Sequence, residues 1–337
     1  MRIEQLDFAD DETMLACHQV YLAAHDSDLP DGPWFAARAF SGWMRVGWNN
    51  EPREIWTARI PDADPDGDRA VTGWFRLILP VRENRDRAAL DLIVHPGQRR
   101  HGTGRALLRH AVKRAFANDR STLISSSLEG SPGEAFARAA GASHALTGVN
   151  RVQQLRALPP LADLRAVAGQ AAAGYRLISW TGVVPDTYLD GVAAVFNALG
   201  DAPRSAGSEP TQWDAERVRE DENGLFHEYG HRSYSIAALT KTSGEMAALT
   251  QVFVDPEIPA WGLQGMTAVA RQHRGHRLGL LVKLAMLDLL AEAEPGLERI
   301  GTENAESNAY MIAVNEAIGY RISGPSFTRW KLDVAQS

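Results

Sequence analysis

A single cysteine, Cys17, stands in 337 residues, so an intramolecular disulfide framework is excluded and a reducing compartment is the expected setting. Positive charge is also in short supply. Against 42 Asp and Glu there are 35 Lys and Arg, leaving a net charge of −7 and a pI near 5.8. That balance speaks against general affinity for nucleic acid or for an anionic membrane. Long apolar runs are missing too: the greasiest stretch, Leu278 to Ala293, is interrupted by Lys283 and Asp288, which argues against a membrane span. The opening Met1-Arg2-Ile3-Glu4 is no apolar signal segment, and a cytoplasmic location is expected. No Gly-x-Ser-x-Gly elbow is present. His101, His110, His273 and His276 lack a third ligand at metal-binding spacing, so no metal is expected. Asp62 to Asp68 mimic the start of a calcium loop, but its twelfth position is Gly73, where a bidentate Glu is required.

What is present is an ordinary globular balance, 45% apolar and 23% charged residues, in a chain long enough for about two domains. One stretch organises the reading. Ala88 to Val94 alternates as a strand does, and Leu107, Leu108, Ala111, Val112 and Ala115 recur at helical spacing. Between them lies His95-Pro96-Gly97-Gln98-Arg99-Arg100-His101-Gly102-Thr103-Gly104-Arg105. A basic, glycine-containing loop thus joins a strand to the first turn of a helix. Free backbone N–H groups at such a junction suit a phosphate or diphosphate. The spacing is wrong for a dinucleotide fingerprint, and Gly-Lys-Ser/Thr is absent.

The stretch occurs twice. Shifted by 175 residues, Val94 meets Val269, Arg99 meets Arg274, His101 meets His276 and Gly104 meets Gly279, while Arg277 stands where the first copy has Gly102. A period this long marks a duplicated domain, since solenoid repeats run from about 20 to 50 residues. Domains are expected at 1–156 and 175–337, joined by a partly helical linker at 157–174 that contains Pro159-Pro160.

In the first copy we expect a strand over 1–8, helices over 11–24 and 34–48, and a hairpin of strands 53–60 and 70–79 around a polar turn at 61–68. The central strand, loop and helix follow, then a strand over 122–127, a helix near 132–140, and strands between 143 and 155. The second copy reads as a strand over 175–180, a helix over 185–198, a loop over 201–212 and an acidic helix. That helix carries Asp214, Glu216, Glu220, Asp221 and Glu222 and is expected to present a solvated face. Strands over 233–240, 245–254 and 261–269, a helix over 278–292, a strand from 300, a helix through Ile318 and a last strand over 327–332 complete the chain.

Arg99-x-x-Gly102-x-Gly104, between a strand and an apolar helix, resembles the acyl-CoA diphosphate loop of the GNAT superfamily of N-acetyltransferases. Asn308-x-x-Met311-x-x-x-Asn315-x-x-x-Gly319-Tyr320 is similar to that superfamily's closing motif. The resemblance covers both copies and implies an α/β (α+β) fold of two tandem domains, each a mixed, mostly antiparallel sheet flanked by helices, an architecture like that of mycothiol synthase. It implies transfer of an acyl group, expected to be acetyl, from acetyl-CoA to a small-molecule amine by direct attack on the thioester, in a monomer or homodimer.

The implied CoA contacts are Val94, Arg99, Arg100, His101, Gly102, Thr103, Gly104 and Arg105 in the first copy. In the second they are Thr267, Val269, Arg274, Gly275, His276, Arg277, Leu278, Gly279, Asn304 and Asn308. The superfamily's tyrosine, which often protonates the departing thiolate, is replaced by Asn315, and counting back from Gly141 in the first copy gives Ala137. Glu303, Asn315 and Tyr310 are the candidate catalytic residues, with Glu303 preferred over Glu245 and Asp91 as the base. The second copy, with the better thioester end, is the expected catalytic one. The missing tyrosine also motivates an alternative, a CoA-binding tandem protein without turnover that serves as a sensor or scaffold.

Overall fold

The computed structural model describes residues 1–47, 50–60, 70–201, 204–224 and 228–336. The turn at 61–68, with its calcium-like start, lies outside them. In chain order the elements are β1 (Arg2–Gln5), α1 (Asp11–Asp28), α2 (Ala37–Arg45), β2 (Arg53–Arg59), β3 (Val71–Ile78), β4 (Arg87–Val94), α3 (Thr103–Ala117), β5 (Thr122–Leu128), α4 (Pro132–Ala139) and β6 (Ser143–Gln154). There follow α5 (Ala162–Ala171), β7 (Tyr175–Thr181), α6 (Leu189–Asn197), α7 (Ala215–Asn223), β8 (Arg232–Thr240), β9 (Met246–Val254), β10 (Trp261–Val269) and α8 (Leu278–Ala293). The chain ends with β11 (Arg299–Ala305), α9 (Ala309–Ala317), β12 (Tyr320–Ile322) and β13 (Phe327–Asp333).

These elements sort into two units by contact. One comprises Met1–Gly148, Ser205–Glu209 and Gly324–Ser337; the other comprises Val149–Arg204 and Pro210–Ser323. The chain passes from the first to the second within β6. Residues 162–171 of the linker stretch form α5, whose Ala168 is buried with the second unit's core. The last strand, counted with the second copy by sequence, belongs by contact to the first unit.

In the first unit the strand order is β1-β2-β3-β4-β5-β13 and then the first half of β6. Neighbours run antiparallel except β4 and β5, which are parallel over Arg87–Ala89. Helix α3 lays Leu107, Ala111 and Ala115 on one face of the sheet with Phe75, Leu77 and Leu90. Met14, Cys17, Phe40 and Met44 from α1 and α2 cover the other with Trp74. Cys17 is fully buried and burial pushes its thiol up to about 12, so it packs as a small apolar residue rather than reacting. Strand β13 lies between β5 and β6, pairing Phe327–Asp333 with Leu128–Thr122 on one side and with residues 143–148 on the other. The Phe327 ring lies across Gly148 and leaves no room for a side chain there.

In the second unit the order is the second half of β6, then β11-β10-β9-β8-β7, with β12 also pairing β6. Only three residues long, β12 has too short a pattern to register as a strand in the sequence. Strands β8 and β9 are buried along their length. In β8 the side chains alternate as a pleat demands: Tyr234, Ile236 and Ala238 face α8, while Ala237 and Leu239 face α6 and α7. Helix α8 is apolar nearly all round because α5 covers the side away from the sheet. Two of its charges have separate fates: Asp288 is paired by Arg165 of α5 at 2.6 Å, and Lys283 is buried. Among the described residues no helix is long and apolar enough to cross a membrane. The acidic helix α7 is not wholly a solvated face. Glu222 turns inward, accepting from the Val184 amide at 2.6 Å and from Arg219 at 2.7 Å, while Asp214 caps the helix.

Candidate active site

The site is made by a fault in the second unit's sheet. Strand β10 runs parallel to β11 only over Trp261–Leu263. On its other side it slips one residue against β9: Gln264 faces Val252 and Thr267 faces Thr250. Gly265 and Met266 therefore stand together opposite Gln251, a β-bulge that releases backbone amides from the ladder. Phe253 and Gln251 crowd the position a Cβ would take on Gly265, so glycine is required there. Beyond the bulge a cleft of about 640 Å³ opens between β10 and β11.

Its walls come from six places. Strand β10 contributes Gln264–Val269, β11 contributes Thr302–Asn304, and α9 with its cap contributes Asn308, Tyr310, Met311 and Asn315. The loop before α8 contributes Arg274 and Gly275, helix α8 contributes Lys283, and the turn after α6 contributes Ala198, Leu199 and Asp201. The three candidate catalytic residues, Glu303, Asn315 and Tyr310, are thus brought to one cavity, together with Thr267, Val269, Arg274, Gly275, Asn304 and Asn308.

His276, Arg277, Leu278 and Gly279 are not in the wall; Arg277 is the N-cap of the adjoining α8, and Leu278 and Gly279 open its first turn. Leu278 points into the core, which leaves only its backbone to a ligand. His276 and His273 pack against Tyr175, whose hydroxyl is 3.0 Å from His273 Nδ1. Among the described residues no cluster suited to a metal ion occurs.

The loop has a fixed backbone signature. Gly275 and Arg277 both adopt left-handed conformations, with φ of 88° and 53°. Arg100 (68°) and Gly102 (88°) do the same in the first unit, so the copies exchange which of the two positions holds the glycine. Arg277 occupies a conformation strained for a residue with a Cβ. Two arginine side chains of the loop are engaged. Asp201 accepts from Arg271 Nε at 2.6 Å and from Arg274 at 2.8 Å, and the two guanidiniums hold its carboxyl down to about 2.

Polar groups form the floor. Lys283 is 3% exposed and donates to Gln264 Oε1 at 2.5 Å. Gln264 donates in turn to the Gln251 carbonyl at 2.6 Å and to Thr250 Oγ1 at 3.1 Å, and Thr250 shares a 2.8 Å bond with Thr267. Burial alone lowers the Lys283 ammonium to about 7. Asn315, 1% exposed, donates to Asn304 Oδ1 at 3.0 Å. Its own Oδ1 is buried without a partner among the described residues. Asn308 Oδ1 caps α9 through the Met311 amide. Tyr310, 61% exposed, stands in the wall instead of the core.

Of the other candidate bases, Asp91 is tied to Arg76 at 2.7 Å in the first unit, and Glu245 binds Gln272 outside the cleft. The wall residues that motif spacing misses include those of the bulge, Ala198, Leu199 and Asp201 after α6, and Lys283. For Lys283 a signal existed, a lone lysine inside an apolar helix.

The first unit keeps the loop and loses the rest. Arg99 is held bidentately by Asp28 at 2.7 and 2.8 Å, and Thr103 is buried. Arg100, His101 and Arg105 are at or near the surface. Phe136 and Val94 approach within 4 Å of where a Gly104 Cβ would stand. Strand β4 pairs with β3 without a slip from Gly73–Val94 to Ile78–Ala89. The 175-residue shift sets Leu108 and Ala89 where the second unit has Lys283 and Gln264, and Ala137, counted back from Gly141, stands where it has Asn315.

Comparison with known proteins places these features in context. The sequence profile of the Acetyltransferase (GNAT) family matches residues 16–130. The chain is 28% identical over 262 residues to the mycothiol acetyltransferase of Mycolicibacterium smegmatis, covering 72% of this chain and 79% of that one. Among solved structures it is similar to a tandem GNAT protein from the clavulanic acid biosynthesis pathway, at 30% identity and a TM-score of 0.79, over 99% of this chain and 98% of that one. A GCN5-related N-acetyltransferase from Sphaerobacter thermophilus shares the fold at 15% identity and a TM-score of 0.67, over 99% and 95% of the two chains.

Proposed function

The chain belongs to the GNAT acetyltransferase family in its tandem form and is an N-acetyltransferase; from that premise we propose that it moves an acetyl group from acetyl-CoA to the amine of a small molecule, in the cleft of the second unit. The observation that carries the location is the bulge at Gly265–Met266 beside the divergence of β10 and β11. The first unit's β4 has no such slip against β3.

The residues present fit CoA. The α8 N-terminus offers backbone N–H groups to a diphosphate, and at Gly275 nothing lies within 4 Å of where a Cβ would be, so a ligand can approach the backbone closely. Asn304 and Asn308 share the cleft with Asn315, whose Oδ1 has no partner among the described residues, and we assign this side to the thioester. When bound, acetyl-CoA supplies the activated acyl carbon.

The chain's own groups do the rest. Amides of the bulge face the oxygen that gains charge, a preorganised donor of the kind that lowers acyl-transfer barriers. Glu303 takes the proton of the incoming ammonium. An alkyl amine with a pKa near 10.4 is almost wholly charged at pH 7, a deficit of about 4.6 kcal/mol that a positioned base reduces. The names of the relatives put small-molecule acceptors first in any panel.

Mass spectrometry of the purified protein for retained CoA species, followed by Gly104→Glu and Gly279→Glu separately, tests this reading. Gly279→Glu is expected to abolish thiol release from acetyl-CoA with a panel of amines, and Gly104→Glu to leave it. Retained activity in the Gly279 variant would move the chemistry to the first unit. The second reading, CoA binding without turnover, is motivated by Asn315 in the tyrosine's place. Tight CoA binding with no thiol release for any amine decides for it.

A further inference from the structure

We infer that Lys283 is the general acid of the reaction, delivering a proton to the departing sulfur in place of the tyrosine that Asn315 has displaced. The inference rests on acetyl transfer in the second unit's cleft.

Four observations lead to it. Lys283 lines the same cleft as Asn315 and Glu303. Its Nζ has three donors, and among the described residues the hydrogen bond it makes is the one to Gln264 Oε1. No carboxylate lies within ion-pair reach of it among those residues, although the Tyr320 ring sits 5.1 Å away. Finally, the first unit, which lacks the bulge, carries Leu108 at the matching position.

A buried ammonium without a counter-charge is costly. A purely structural purpose at this position would be met by an apolar residue, as Leu108 shows. Tyr310, the tyrosine of the wall, is 61% exposed.

The step balances as follows. The acceptor nitrogen forms the C–N bond and loses its proton to Glu303 or to a water it holds. The C–S bond breaks with its electron pair on sulfur, and an N–H of the ammonium passes its proton to that sulfur, giving the thiol and a neutral amine. Solvent then recharges Lys283. Burial at the cleft floor brings the ammonium to about 7, below an ordinary thiol near 8.5, so the transfer runs downhill about thirtyfold. An unperturbed lysine near 10.4 would have to give up its proton uphill.

The titratable groups around it are Glu303 from β11, Tyr310 from α9, Asp201 and Arg274 at the cleft edge, and Tyr320 from β12. Strands β9 and β10 contribute none.

The test compares wild type, Lys283→Met and Lys283→Arg. Thiol release from acetyl-CoA is followed against pH, with hydroxylamine as the acceptor probe and with the fastest amine of the panel. Binding of CoA is measured in parallel, and the lysine ε-ammonium signals are titrated by NMR without substrate. We expect kcat of the Met variant to fall at least about a hundredfold at pH 7, with the KM for acetyl-CoA changed less than about threefold. The loss of wild-type rate above pH 7 should disappear in that variant. One ammonium signal, absent from the Met variant, should titrate near pH 7.

The Arg variant keeps the charge but cannot release a proton, so it should remain as slow as Met. Arg rescue overturns the acid role and leaves a clamp on Gln264. A titration near 10.4, or unchanged kcat in the Met variant, overturns it as well. Absence of turnover in the wild type overturns acetyl transfer itself and this inference with it, whereas turnover in wild type and variant alike sinks only the acid.

Discussion

Lys283 sits at the odds between stability and chemistry. Its ammonium titrates near 7 in the folded chain against an ordinary value of 10.5. Between those two values the unfolded chain holds more protons, so stability rises with pH across that window; below about pH 7 both states are charged and the full penalty applies. Replacing Lys283 by Met removes the penalty at neutral pH. The variant should therefore melt above the wild type at pH 7 and lose most of that advantage by pH 10, read by thermal unfolding at the two pH values. A variant that melts lower at pH 7 would mean the bond to Gln264 outweighs the desolvation. Arg277 allows a second prediction at this scale. Its φ of 53° carries roughly 1–2 kcal/mol of strain, of which a glycine returns about 0.5–1 kcal/mol as extra freedom in the unfolded chain. Arg277→Gly should gain up to about 1 kcal/mol in urea unfolding, and Arg277→Val, β-branched in a left-handed position, should lose stability.

At the scale of elements the decisive feature is the slip in β10. Deleting Met266 restores a regular ladder with β9, because Gln264 and Thr267 would then be two residues apart, like Val252 and Thr250. The sheet should survive, while the amides that face the cleft return to the ladder. Loss of one such donor lowers kcat by about 10²–10³, and steady-state kinetics with folding checked by circular dichroism would read it; an active deletion variant would show that the oxygen is held elsewhere. The loop at the start of α8 could be foreseen, since left-handed backbone and a bare helix terminus leave a mark in residue types, Gly102 in one copy and Gly275 in the other. The bulge could not. It is a pairing event between two strands, and Gly265 in a run of Gly262-Leu263-Gln264-Gly265 reads only as weak β-propensity. Lys283 was visible as a break in an apolar helix, but periodicity does not tell a snorkelling lysine from one aimed into a cavity. Glu222 was misread for the same reason: a charge pattern records spacing, not the Val184 amide that draws the carboxylate inward.

At the scale of the whole chain, the duplication at 175 residues was legible because matching loops keep matching residues, whereas the destination of the last strand was not. Phe327–Asp333 has the alternation of any half-buried strand, and nothing in that pattern distinguishes pairing with β5 from pairing inside its own copy. The consequence can be tested by ending the chain at Ser323. In the first unit this removes β13 from between β5 and β6, leaves two edges without ladder partners, and strips Leu332 and Val334 from the core around Leu107 and Leu123, along with the buried Phe327 and Trp330. Four buried apolar side chains at about 1.5–3 kcal/mol each amount to much of the 5–15 kcal/mol that holds a domain. The cores of the second unit, around Ile236, Leu249 and Leu284, contain none of these residues. Hydrogen exchange on the truncated chain should therefore show amides of β3, β4 and β5 losing protection while those of β8, β9 and β10 keep it, and CoA should still bind where Gly279→Glu abolishes it. Equal loss of protection in both sets would mean that the second unit needs a folded first unit to stand, and the proposed acetyl-transfer cleft could not then be treated as the property of one copy.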